Sequence, residues 1–125
     1  MVIRMDCIFC KIINGDIPSY TIYEDDYVKC FLDIDPIENG HTLIVPKKHF
    51  VDFNDIEEEY LLKIHASSKI VANILKEKLE CDGIKLEQNN GSIQDVKHYH
   101  MHVIPKYSTE NELISVEDVF NKLTK

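Results

Sequence analysis

Apolar positions along the chain change their period several times, and those changes outline the elements. Cys7 to Ile13 reads as a short helical segment, stopped by Asn14-Gly15-Asp16 with Gly15 as the stop signal. Tyr20 to Glu24 and Val28 to Leu32 are rich in β-branched and aromatic residues and flank Asp25-Asp26-Tyr27, which predicts a hairpin. A turn-rich stretch from Asp33 to Gly40 leads into His41-Thr42-Leu43-Ile44-Val45-Pro46, an apolar block short enough for a buried strand. Asn54-Asp55-Ile56-Glu57 offers an N-cap with a glutamate three residues on. Leu61, Ile64, His65, Ser68, Val71, Ala72, Leu75 and Leu79 then recur at helical spacing, so one long helix should run from there and end before Gly83.

Ile84 to Asn89 and His98 to Pro105 read as strands separated by the turn Asn89-Asn90-Gly91-Ser92, and Val116 to Leu123 places Val116, Val119, Phe120 and Leu123 on one side of a tail helix. Five short strands with one long helix between the third and fourth do not alternate as repeated strand–helix units do. The expected architecture is therefore α+β, a five-stranded antiparallel sheet covered by a helix.

The 125 residues leave room for a single domain, 1–125, and 44% hydrophobic with 29% charged side chains is the balance of a globule. Fourteen basic against 22 acidic side chains give a net charge of −8, which repels a phosphate backbone, so duplex nucleic acid is excluded as the main partner. No apolar run approaches the roughly 18 to 20 residues that cross a bilayer, and Met1 to Asp6 carries Arg4 with no apolar stretch behind it. The reading is a cytoplasmic protein with no membrane partner and no signal peptide. Of four cysteines, Cys30 and Cys81 stand in apolar contexts that suggest buried, inert thiols, while Cys7-x-x-Cys10 is either a redox pair, half of a metal site, or two partly buried thiols at a helix start.

Three of the six histidines form the string His98-Tyr99-His100-Met101-His102, followed by Val103-Ile104-Pro105. Chance would produce H-x-H-x-H in roughly one such sequence in a hundred. On a strand the three imidazoles would share one face, about 6 to 7 Å apart, while Tyr99, Met101 and Val103 turn into the core. Such a row can hold a metal, or it can attack phosphorus with one imidazole while its neighbours orient it and stabilise negative charge; spacing alone does not choose. His65, on the long helix, reads as structural or surface.

The string His98 to Ile104 resembles the signature of the histidine triad family. Cys7 to Ile13, Phe31-Leu32-Asp33-Ile34, the block from Gly40 to His49 and Gln88-Asn89-Asn90-Gly91 agree with it in order, over residues about 6 to 107. The resemblance is to the branch of small bacterial purine-nucleotide phosphoramidases. It implies a HIT-like fold, usually dimeric with sheets joined edge to edge, and an enzyme that splits a bond to the α-phosphate of a purine nucleoside phosphoramidate. It implies His100 as the nucleophile forming a nucleotidyl-histidine intermediate, His102 polarising the phosphate, His98 positioning the triad, and His41 as an additional histidine behind the nucleophile. It further implies nucleotide contacts from Asp33 to the ribose hydroxyls, from Asn89 near sugar and phosphate, from Gln94 to the phosphate, and from Asp95 beside the leaving group. The same resemblance implies a structural zinc on Cys7, Cys10, His49 and His98, with no metal required for the chemistry. Relatives commonly carry a longer loop with a second glycine where this chain has Gly91-Ser92-Ile93-Gln94, which alters the amides available to the phosphate. The alternatives are a weakly active or non-catalytic nucleotide-binding regulatory protein and a dinucleoside polyphosphate hydrolase.

Overall fold

The computed structural model describes residues 6–125, so the reading that Met1 to Asp6 carries no leader lies, for its first five residues, outside the described part. Helix α1 is Ile8–Asn14. Cys7 caps it, its Sγ accepting the Cys10 N–H at 3.2 Å, and Gly15 at φ 87° ends it. Strands β1 (Thr21–Glu24) and β2 (Val28–Leu32) form the expected hairpin, whose turn is held by the Asp25 carboxylate accepting from the N–H groups of Tyr27 and Val28. Strand β3 is Thr42–Pro46.

Helix α2, Glu58–Leu79, begins three residues after the cap expected at Asn54 and Asp55. The Asp55 carboxylate is already engaged by the N–H groups of Val51 and Asp52, and Asn54 N–H bonds Asp52, so this stretch forms a turn that competes with the helix. At the other end Glu80 takes the left-handed conformation (φ 56°) and its N–H returns to Lys76. Strand β4 is Gly83–Gln88. A 3₁₀ turn covers Gly91–Ile93, β5 is Met101–Lys106, and helix α3, Val116–Leu123, forms as expected with Ser115 as its cap.

All sheet pairings are antiparallel, in the order β1-β2-β3-β5-β4. One face is covered by α2 and α3, where Ile64, Val71, Leu75, Val119 and Leu123 bury against Val28, Cys30, Ile44, Met101 and Val103. The other face carries α1, with Phe9, Cys10 and Ile12 packed on Phe31, Leu43 and Val45. Side chains alternate across each strand, so the residues that share a face with Leu43 are the ones α1 meets, and these include the histidines.

Candidate functional site

Strand β5 starts at Met101, later than expected: His98 and His100 lie on the extended approach to it, pinned by Tyr99 N–H donating to Phe50 O at 2.7 Å. The alternation still holds through this approach. Tyr99, Met101 and Val103 are buried in the α2 core, while His98 and His100 are buried on the α1 face and His102 is half-buried. The imidazoles are closer than a flat strand would set them, with ring centroids of His100 and His102 at 4.9 Å. Phe9 packs on the row from the α1 side: its ring meets those of His98 and His100 edge-on at 5.9 and 5.1 Å. Phe9 was legible in the sequence only as an apolar residue between two cysteines.

Hydrogen-bond partners assign each imidazole a different tautomer, because a neutral ring has one N–H and one lone pair. His98 Nε2 faces the Pro46 carbonyl at 2.9 Å, so Nε2 carries the proton and Nδ1 the lone pair. His100 Nδ1 faces the His98 carbonyl at 2.8 Å, which puts the proton on Nδ1 and leaves the Nε2 lone pair outward. The Ile37 N–H donates to His41 Nδ1 at 3.1 Å; His41 Nε2 therefore holds the proton and donates it to His102 Nδ1 at 2.9 Å. That leaves His102 with an N–H at Nε2. One side chain thus presents a nucleophilic lone pair and its neighbour a donor.

His41, expected as an additional histidine behind the nucleophile, has its ring against that of His102, the next histidine of the row. The register explains it. Leu43 pairs with His102 across β3 and β5, and His41 is therefore the diagonal neighbour of His102 on the same face. Asp33 Oδ2 lies 3.6 Å from His41 Nε2. Ligating atoms of Asp33, His41 and His102 cluster within 4.8 Å, with the His41 nitrogens committed as acceptor from Ile37 and donor to His102. Burial, aided by the neighbouring imidazoles, holds both His41 and His102 below the ordinary imidazole value, against the pull of Asp33.

A cavity of about 200 Å³ opens over His100 and His102, walled by Phe9, Ile12, Ile17, Phe31, Asp33, Ile34 and Asp95 among others. Among the described residues, its walls contain two carboxylates and no lysine or arginine. Asp95 is largely exposed, and its Oδ1 is 3.2 Å from His100 Nε2, an ion pair only if that nitrogen also carries a proton, so the Nε2 lone pair is open to a ligand once the exposed Asp95 side chain swings aside. Asn89 and Gln94 are not brought into this cavity. Asn89 bonds the side chain of Glu87, and Gln94, 4% exposed, donates its amide to the Val51 carbonyl while its Oε1 has no partner among the described residues. The 3₁₀ turn at Gly91–Ile93 and the Lys97 ammonium on the Gly91 carbonyl close this short loop on itself.

The remaining predicted group assembles as expected. Ligating atoms of Cys7, Cys10, His49 and His98 all lie within 4.8 Å of one another, three of the residues buried. The His98 and His49 Nδ1 atoms are 3.1 Å apart. Sulfur-to-Nδ1 distances are 3.4 Å for Cys7 to His98, 3.2 Å for Cys10 to His49 and 3.6 Å for Cys10 to His98. A zinc tetrahedron with bonds of about 2.0 to 2.3 Å has edges of about 3.3 to 3.8 Å, so the donor set and its spacing fit. Burial pushes His98 down to about 4, so its imidazole is neutral, and its Nε2–H to Pro46 is the outer bond that aims a ligating Nδ1. Among the other cysteines, Cys30 is buried with its thiol pushed up to about 12 by burial, whereas Cys81 is only half-buried. His65 is exposed on α2.

The antiparallel sheet thus sets a lone-pair imidazole beside a donor imidazole in a cavity walled by two carboxylates. The HIT domain matches residues 14–109, and the chain belongs to that family. It is 44% identical to an uncharacterized HIT-like protein of Methanocaldococcus jannaschii over 92% of this chain and 90% of the relative. It is also 42% identical to a protein of Saccharomyces cerevisiae named adenosine 5′-monophosphoramidase, over 95% of this chain and 77% of the relative. Among solved structures, a Zn-bound histidine triad family protein from Mycobacterium smegmatis superposes with a TM-score of 0.87 at 35% identity, covering 95% of this chain and 91% of that one. Among the described residues, no helix is long and apolar enough to cross a membrane.

Proposed function

We propose that the protein hydrolyses purine nucleoside 5′-phosphoramidates through a nucleotidyl-His100 intermediate. The observation that carries this reading is the His98 carbonyl on His100 Nδ1, which leaves the Nε2 lone pair facing the cavity beside the His102 Nε2–H. The lone pair forms the N–P bond as the P–N bond to the amine breaks, and the departing nitrogen takes up one proton from water passing the exposed Asp95. Water then attacks phosphorus, releases the monophosphate and returns the proton and the His100 lone pair. His102, held by His41, donates to a phosphate oxygen whose charge grows in the transition state. Asp33 accepts from the ribose hydroxyls, and Ile12, Ile17 and Phe31 supply apolar walls for the base. The phosphoramidase name of the yeast relative supports the substrate class.

In this reading Cys7, Cys10, His49 and His98 hold a zinc ion, which when bound supplies a rigid tie between α1 and the approach to β5. The chemistry runs on imidazole nitrogens. The chain acts as one domain and pairs as a homodimer, for which the unpaired edge of β4 with exposed Leu86 is available. A metal site built on two thiols suits a reducing compartment, the cytoplasm. One observation favours a weakly active nucleotide binder as the second reading: Gln94 is tied to Val51 and does not reach the phosphate side. The metal-loaded protein is mixed with adenosine 5′-phosphoramidate, and AMP release and intact mass are followed beside His100→Gly. AMP release and a transient adduct confined to the wild type support the enzyme; binding without turnover supports the second reading.

A further inference from the structure

The turn that leads into His41 is exposed at its tip, where Ile34 is 80% and Ile37 59% exposed. Yet the Ile37 N–H is the group that engages His41 Nδ1, at 3.1 Å. A hydrogen bond on an exposed turn competes with water and persists only while the turn itself is held in place. The bonds from His41 N–H to the Glu38 carbonyl and from Asp35 N–H to the Asp33 carboxylate are internal to the turn, so they shape it without anchoring it. The ion pair of Glu38 with Lys106, 3.4 Å long, is solvated and weak. Asn39 differs from its neighbours at the tip: it is 8% exposed. Its Nδ2 donates to the Asn111 side-chain oxygen and, at 2.7 Å, to the Glu112 carbonyl. Its Oδ1 accepts from the Ile114 N–H at 3.0 Å, and its backbone carbonyl accepts from the Tyr107 hydroxyl at 2.7 Å. All of these partners belong to 107–114, a segment after β5 with no helix or strand of its own. Ile114 and Val119 then close on Asp33, Gly40 and His41 around a gap of about 10 Å³, room for one water at most.

We propose that Asn39 is a positioning residue for the reaction: by clasping 107–114 it holds the Ile37 N–H on His41 Nδ1, and so keeps the His41 Nε2–H aimed at His102. The kinetic consequence rests on the phosphoramidate reading; the clasp itself does not. Asn39 is not among the residues that wall the cavity over His100 and His102, so its effect on the chemistry passes through His41. An amide is the side chain this place requires, because it offers donors to two oxygens and an acceptor to one N–H. Truncation to alanine removes all three bonds and unfastens the turn from the tail. The Ile37 N–H then turns to water, the His41 ring loses the contact that fixes its outer nitrogen, and its donation to His102 Nδ1 is kept only part of the time. His102 in turn presents its Nε2–H to the phosphate less often.

The test uses zinc-loaded wild type, Asn39→Ala, Tyr107→Phe and Leu123→Ala, each with and without His41→Phe. Leu123 is buried in the α2 core and is no partner of Asn39, so its truncation loosens α3 with the clasp intact and serves as the control for lost stability. Hydrogen exchange by NMR reads the Ile37 amide, and AMP release from adenosine 5′-phosphoramidate reads kcat/KM. Relative to the amides of α2, Ile37 should exchange about tenfold faster in Asn39→Ala, faster by a smaller factor in Tyr107→Phe, and at the wild-type rate in Leu123→Ala. With His41 present, Asn39→Ala should lower kcat/KM by about 3- to 10-fold, the weight of one net hydrogen bond. In the His41→Phe background it should cost less than about twofold more, because no Nδ1 remains to be held. Equal losses in the two backgrounds overturn the proposal, as does an Ile37 amide that keeps its wild-type rate in both clasp variants. Tyr107→Phe carries the same comparison if Asn39→Ala does not fold. Wild type that releases no AMP overturns the phosphoramidate reading alone, and Ile37 exchange, read without substrate, then decides the clasp.

Discussion

Replacing Gly40 by alanine probes the packing that delivers His41 to the face shared with His102. Gly40 precedes His41 at φ 95°, a left-handed backbone that costs a residue with a Cβ about 1 to 2 kcal/mol. A Cβ there would also lie 2.6 Å from Leu79 Cδ1, 3.0 Å from Leu75 Cδ2 and 3.2 Å from Pro105 Cγ. Leu79 is half-buried and its methyl can swing, but Leu75 is fully buried, so the clash does not simply relax and overpacking adds about 1 to 3 kcal/mol. The sum is a loss of about 2 to 5 kcal/mol. Gly15 is the internal control: its φ is 87°, yet nothing lies within 4 Å of the place a Cβ would take, so Gly15→Ala should lose only the backbone part, about 1 to 2 kcal/mol. With an unfolding entropy of about 2.1 cal/mol/K per residue, these correspond to drops in Tm of about 8 to 19 °C and about 4 to 8 °C. Urea unfolding followed by far-UV circular dichroism, with every sample equally metal-loaded, measures both. Equal losses in the two variants would refute the claim that Gly40 is required for space as well as for backbone angle.

Other expectations follow from the site. Removing His41 as a donor, in His41→Phe, frees His102 to move its proton to Nδ1, and the lost hydrogen bond to a charged phosphate oxygen should cost about 10- to 100-fold in kcat/KM, read by AMP release. Chelator-stripped protein should melt lower than protein reloaded with zinc, at one ion per chain by a colorimetric assay, and Cys10→Ser should erase most of that difference. Burial holds the folded-state values of His41 and His102 below 6.5, so below that pH the unfolded chain binds more protons than the folded one and stability must fall as pH falls. Urea midpoints at pH 7.5 and 5.5 should show this loss in wild type and a smaller one in His41→Phe; a flat wild-type profile would contradict the burial argument.

Much of the frame was readable from the chain, because it follows from local alternation. The Asp25 turn, Gly15 as a helix stop, the amphipathic α2 and α3, and the sharing of one face by His98, His100 and His102 depend on periods of 3.6 and 2 and on turn chemistry that neighbouring residues set by themselves. Where long-range partners compete, sequence reasoning went astray. The Asn54 cap failed because Asp52 and Asp55 had other backbone donors to satisfy, and β5 began at Met101 because ladder pairing with β3 extends only from Ile44 to Thr42.

The residue types alone determined which chemistry was available: imidazoles at alternate positions and thiols three apart. Only the tertiary structure decided what each would do. Tautomers are set by carbonyls and amides from elsewhere in the chain, with Pro46 holding His98 and Ile37 holding His41, and no spacing rule encodes such contacts. The placement of Asp95 beside His100, the withdrawal of Gln94 to Val51, and the pairing of His41 with His102 likewise arise from strand register and loop closure. The same histidine run therefore divides into rings with different protonated nitrogens because folding gives three identical side chains three different hydrogen-bond partners.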